Sequence, residues 1–195
     1  MTSTRAAQQR HGAVIQPRSR ADIHFGDWRA HGLEAGKFFP ETQSGLRDPY
    51  APDDTTSATP PPDGKIASAG QEFAAELDEA RTDWQKTPVK AGQELEVAWT
   101  YHARHPTRRW NYFITRNGWD PNQPLTRAQF DPEPFHQVQN ACQPFWSCGD
   151  ELMPSDPTTH NLPLPRRSGY HVILAVWEVA DTGNAFYQVI DTDFS

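Results

Sequence analysis

The sequence predicts an all-β fold, an antiparallel sandwich with a loop-and-helix insertion between its first strands. Short apolar or alternating segments near both ends of the chain read as strands, and the stretch from Ile23 to Pro62 between them is rich in Pro, Gly, Asp and Thr. Seven Trp, ten Phe and five Tyr supply the large apolar bodies that a core needs and that disordered segments lack. At 195 residues the chain has room for one such core.

The elements follow in order. A short strand is expected around Ala13 to Ile15, then a long excursion whose segment Asp53 to Pro62 (DDTTSATPPP) reads as a solvated loop. Loops beyond about 12 to 15 residues in a compact domain are usually functional or disordered. Between Gln71 and Trp84, Phe73, Leu77 and Ala80 fall at helical spacing and predict a helix. In Glu94 to Tyr101 the apolar Leu95, Val97, Trp99 and Tyr101 alternate with smaller or polar residues, the pattern of a half-buried strand. Trp110 to Arg116 (WNYFITR) is aromatic and β-branched and stops at the turn signal Asn117-Gly118. Gly169 to Val179 and Ala185 to Asp191 flank Asp181-Thr182-Gly183-Asn184, which predicts a hairpin.

Charge and motif spacing exclude several functions. A net charge of −7 provides no basic field for nucleic acid. No run of about 18 apolar residues is present, so no membrane span is expected. The eight histidines (His11, His24, His31, His102, His105, His136, His160 and His171) are scattered, with no HExxH or CxxC spacing, and no serine stands in a nucleophile-elbow context. Pairs among 25 acidic residues are unspecific.

His11 to Arg20 (HGAVIQPRSR) resembles the HGxxxxPxSR opening of mature lytic polysaccharide monooxygenases of the bacterial and viral chitin-binding type, auxiliary activity family 10, formerly carbohydrate-binding module family 33. Asp63 to Ala69 (DGKIASA), Ala103-Arg104-His105, Trp110 to Asp120, Gln123 to Arg127 (QPLTR) and Trp177 to Asp191 (WEVADTGNAFYQVID) resemble family segments in the family's order, so the resemblance covers His11 to the C-terminus.

The resemblance implies a fibronectin type III or immunoglobulin-like sandwich bearing one copper ion in a histidine brace. Residues 11–195 would form the single domain, and residues 1–10 an unprocessed leader or an artefact. His11, through its ring and α-amine, and His105 would be the metal ligands, a nitrogen set suited to copper. By position in the family pattern, Phe186 would block the axial site, Ala103 would shape access, Glu34 would position the oxygen species and Trp177 would pack beneath. Trp28, six positions before Glu34, would be the glycan platform, with Asp181 and Asn184 as polar contacts on the same flat face. His102 reads as a surface neighbour, and His24, His31 and His171 carry no assigned role.

The implied function is oxidative cleavage of crystalline β-1,4 polysaccharide, chitin rather than cellulose, by hydrogen abstraction at C1 or C4. It would use an external electron donor and dioxygen or hydrogen peroxide, in a secreted monomer with neither nucleic-acid nor membrane partner. The alternative is a non-catalytic chitin-binding protein or glycan adhesin using the same face. In a secreted domain of this kind the only two cysteines, Cys142 and Cys148, suggest a disulfide, with two reduced thiols as the other reading. Family members often carry cysteines where this chain has His136 and His160. A lost bridge is expected there, or an adventitious metal pair if the two rings face each other.

The chain departs from the pattern at its start. Ten residues precede His11, so its nitrogen is a peptide amide, whereas a free α-amine has a pKa of about 7.7 to 8.0 and is a far better ligand. The mature enzyme is therefore expected to begin at His11.

Overall fold

The computed structural model describes residues 11–195, and the expected leader lies outside them. Among these residues nine strands, β1 (Gly12–Gln16), β2 (Glu34–Gly36), β3 (Thr87–Val89), β4 (Glu94–Tyr101), β5 (Thr107–Ile114), β6 (His136–Gln139), β7 (Thr158–Pro163), β8 (Gly169–Val179) and β9 (Asn184–Phe194), form two sheets. One has the order β1-β4-β7. The other runs β2-β9-β8-β5-β6, with β3 pairing in parallel to the far end of β9 and every other pair antiparallel. This is the predicted sandwich.

The continuous apolar run of β8 has a simple cause. Its residues alternate between two cores. Ile173, Ala175 and Trp177 face the three-stranded sheet and pack with Val97, Trp99 and Tyr101, whereas Val172, Leu174 and Val176 face outward onto the insertion, against Leu33, Phe39, Ile66 and Leu77. A strand buried on both faces loses the polar half of its alternation.

The insertion is thus a layer packed on the larger sheet. Asp53 to Pro62 has no regular structure but is not simply solvated, because its own Asp54 and Ser57 are buried. Asp54 takes a two-pronged ion pair from the buried guanidinium of Arg108 at 2.7 and 2.8 Å. The same attraction corrects the second strand. Expected at Trp110 to Arg116, it begins at Thr107, because Arg108 and Arg109 find buried acidic partners, the latter in Asp48 and Glu178.

The helix expected over Gln71 to Trp84 is a seven-residue 3₁₀ segment, Glu72–Asp78. Its buried residues are Ala74 and Leu77, three apart, while Phe73 stays 37% exposed. Spacing of three is the period at which a 3₁₀ helix presents one face. The one α-helix among the described residues, α1 (Arg20–Phe25), falls where no helix is expected. Ser19 caps it by accepting from the Asp22 amide at 3.2 Å, and Gly26 ends it in the left-handed region. Arg20 anchors it to β9 through Asp191, at 2.6 and 2.9 Å.

Candidate metal centre and glycan-binding face

His11 stands just before β1 and is held by its backbone. Its N–H donates to the His31 carbonyl at 3.2 Å, and its own carbonyl accepts from the amides of His102 (2.9 Å) and Ala103 (3.3 Å). The following glycine is required by close approach. A Cβ on Gly12 would lie 2.9 Å from both Trp177 Cζ3 and Tyr101 Cδ1, so only glycine lets β1 enter over these rings.

His105 lies in the connection from β4 to β5, at the same end of the sandwich. The two rings stack with centroids 4.8 Å apart and planes inclined by 27°. Phe186 lies against His11 at 4.7 Å, and Trp177 packs under Phe186 at 4.8 Å and within 6.1 Å of His105. Trp177 is fixed in turn by its Nε1–H donating to Thr107 Oγ1 at 2.7 Å. The sequence-predicted ligands, axial phenyl and supporting indole therefore converge.

Each imidazole has a carboxylate beside it. Asp181, in the β8–β9 turn, lies 3.3 Å from His105 Nδ1. With the proton on Nδ1 shared with that carboxylate, the lone pair of His105 sits on Nε2, where a metal could take it. Glu34 Oε2 lies 4.0 Å from His11 Nδ1, while Glu34 Oε1 accepts from Asn184 Nδ2 at 2.7 Å. Asn184, expected as a glycan contact, is thus also the partner that orients Glu34. Trp28 is 43% exposed and leans on Phe73 at 5.3 Å. Ala103 is exposed beside the His11 carbonyl.

Two histidines given no ligand role in the sequence stand here as well. His31 and His102, whose backbones grip His11, bring their rings edge to face at 4.0 Å. No motif flags them, because His31 lies in the insertion and meets His102 only through the fold. His136 and His160 also come together, on the two sheets. Tyr112 Oη lies 2.7 Å from His160 Nδ1, and burial, with a smaller contribution from His136, pushes His160 down to about 4. Cys142 and Cys148 form the disulfide.

Among the described residues, no three side chains of His, Cys, Asp or Glu gather as a metal set. The available set is two imidazoles plus the backbone nitrogen of His11. That chemistry fits copper once the nitrogen is an amine. A primary amine keeps an N–H for the His31 carbonyl and has a localised lone pair, which a peptide nitrogen lacks.

The sequence profile described as "Lytic polysaccharide mono-oxygenase, cellulose-degrading" matches residues 11–192. GlcNAc-binding protein A of Shewanella oneidensis is 40% identical over 196 aligned positions, covering 95% of this chain, and the chain spans 36% of that relative's length. A chitin binding domain from Burkholderia pseudomallei is 50% identical with a TM-score of 0.90, over 95% of this chain and 100% of that one. The Bacillus amyloliquefaciens CBM33 protein, solved in complex with Cu(I) after photoreduction, is 33% identical with a TM-score of 0.68, over 95% and 100% of the two chains. A profile that opens on His11 and spans nearly every described residue, on a sandwich that stacks that histidine against His105, places the chain in the lytic polysaccharide monooxygenase family.

Proposed function

We propose that the mature protein begins at His11, is secreted, and is a copper-dependent monooxygenase that binds crystalline chitin and cleaves it oxidatively. The observation that carries this reading is the stacked His11–His105 pair over Phe186, each imidazole beside one carboxylate. The relatives, a GlcNAc-binding protein and a chitin binding domain, favour chitin over the cellulose in the profile's description.

Copper held by the His11 amine and ring and by His105 would supply one-electron chemistry with dioxygen or peroxide, fed by an external donor, to oxidise the C1 or C4 position of the glycan. The chain's own groups do the rest. Asp181 keeps the His105 lone pair on Nε2, and Phe186 fills one side of the centre with carbon, so no oxygen donor enters there. Glu34, steered by Asn184, holds a proton-accepting oxygen toward His11 and can move a proton at that point. Ala103, exposed beside the His11 carbonyl, leaves that approach low. Trp28 offers an apolar ring face to pyranose C–H groups on a surface with no need of charge.

Copper titration and product mass spectrometry on β-chitin with ascorbate, comparing protein that starts at His11 with the chain from Met1, test this reading. Tight one-to-one binding and oxidised oligosaccharides from the trimmed form alone are expected. Chitin retention without oxidised products from either form would overturn the catalytic reading and leave a binding protein.

A further inference from the structure

The most exposed large apolar side chain among the described residues is Trp146, at 66%, and the next is Tyr50, at 56%. Neither belongs to the centre described above, yet both lie at its end of the sandwich. Trp146 stands in the connection from β6 to β7. Gln139, the last residue of β6, pairs with Arg109 near the start of β5, just after His105, and Thr158, the first of β7, pairs with Trp99 near the end of β4. The connection therefore leaves and re-enters the sheets beside the loop that carries His105. Arg104 Nη1 reaches the Pro154 carbonyl in it at 3.3 Å. Tyr50 is drawn to the same place, since its carbonyl accepts from Gln143 Nε2 at 2.7 Å.

The exposure of Trp146 is built rather than incidental. The Cys142–Cys148 disulfide closes the loop around it. The buried Arg108 donates to the carbonyls of Asn140 (2.6 Å) and Cys142 (3.1 Å) and so fixes the base of the loop. Phe145 supports the indole edge-on at 5.2 Å. A rigid, tethered ring left in water loses little conformational freedom when a ligand covers it.

Position selects the ligand. Trp28 lies six positions before the start of β2, at one edge of the six-stranded sheet, and Trp146 follows β6, at the other edge. Four strand spacings separate these edges, roughly 20 Å, with Phe186 on β9 and His105 just before β5 between them. Asp150 and Glu151 follow the loop and disfavour an anionic partner. We propose that Trp146, with Tyr50 beside it, is a second saccharide-stacking platform. It would take uncharged pyranose rings of the same polysaccharide, so that the glycan is gripped on both flanks of the metal centre. This inference rests on the polysaccharide reading above.

Binding isotherms on β-chitin for the parent, Trp146→Ala, Trp146→Phe and Trp28→Ala, each with its thermal melt, test the inference. Loss of one aromatic stacking contact corresponds to a fall in affinity of roughly 3- to 10-fold. That fall is expected for Trp146→Ala with an unchanged melt, and Trp146→Phe should recover most of the affinity. Chito-oligosaccharides of increasing length should gain affinity with length on the parent and lose that gain in Trp146→Ala. A Trp146→Ala isotherm that overlays the parent while Trp28→Ala weakens binding would overturn the second platform and leave the polysaccharide reading standing. A parent that binds no saccharide would overturn both.

Discussion

Glu34 and Phe186 sit directly opposite each other in the β2–β9 register, so carboxylate and phenyl emerge on the same face of the sheet beside His11. The row continues across the sheet, from Phe186 to Trp177 on β8, from Trp177 to Trp110 on β5 and from Trp110 to Val138 on β6. Phe186 and Trp177, at one end of this row, floor the candidate metal centre. A one-residue slip of β2 would turn Glu34 to the other face.

Glu34→Gln tests the role of the carboxylate within that row. The amide oxygen can still accept from Asn184, so the local fold and chitin binding should persist. Turnover on β-chitin should fall by roughly 100-fold, the lower range for loss of a positioned proton acceptor. Product release at the parent rate would remove Glu34 from the chemistry.

Copper should stabilise the trimmed protein by mass action. At a free copper concentration of about 1,000 times Kd the gain is about 4 kcal/mol, readable as a rise in Tm that a chelator reverses. The chain from Met1, whose His11 nitrogen is an amide, should show a much smaller rise. Equal rises in both would mean that the His11 nitrogen is not a ligand.

Arg20→Ala should be among the most damaging substitutions distant from the metal centre. It leaves Asp191, 3% exposed, without its main counter-charge and releases α1 from β9. Breaking a buried pair from one side costs about 3 to 5 kcal/mol, measurable by denaturant unfolding. A loss below about 1 kcal/mol would show that Tyr170, which donates to Asp191 at 2.6 Å, suffices alone.

Acid should weaken the fold through His160. Its pKa falls from the ordinary 6.5 to about 4, because burial disfavours the imidazolium. As pH drops from about 6.5 to about 4 the unfolded chain takes up a proton that the folded chain refuses, so stability falls across that window and levels off below it. Discounted for partial exposure, the loss is about 2 kcal/mol. His160→Asn, which can still accept from Tyr112, should flatten this limb in unfolding curves taken between pH 7 and pH 4. An unchanged limb would assign the acid sensitivity elsewhere.

The loop around Trp146 links stability to binding. Closing six residues of separation with the Cys142–Cys148 bond should contribute about 2 kcal/mol in the chain-entropy view. Gentle reduction should lower Tm modestly and weaken β-chitin binding together. A reduced protein that binds as well as the oxidised one would show that the bond does not set the pose of Trp146.

The strands β4 and β8 were legible in the sequence to the residue, because alternation over Leu95 to Tyr101 and an unbroken apolar run over Val172 to Trp177 leave few other structures that bury those side chains. The motif around His11 and the order of later segments were enough to point to His105, Phe186 and Glu34. The sequence could not show that β8 is covered on both faces, nor that Arg108 and Arg109 extend β5 inward, since their partners Asp54, Asp48 and Glu178 are remote in the chain. It could not show that Asn184 steers Glu34 or that His31 and His102 clasp His11. Apolar periodicity is a local property and fixes strands and faces by itself. Charge pairing, ring stacking and hydrogen bonds between distant segments exist only once the sheets are packed, and it is they that assembled the candidate metal centre.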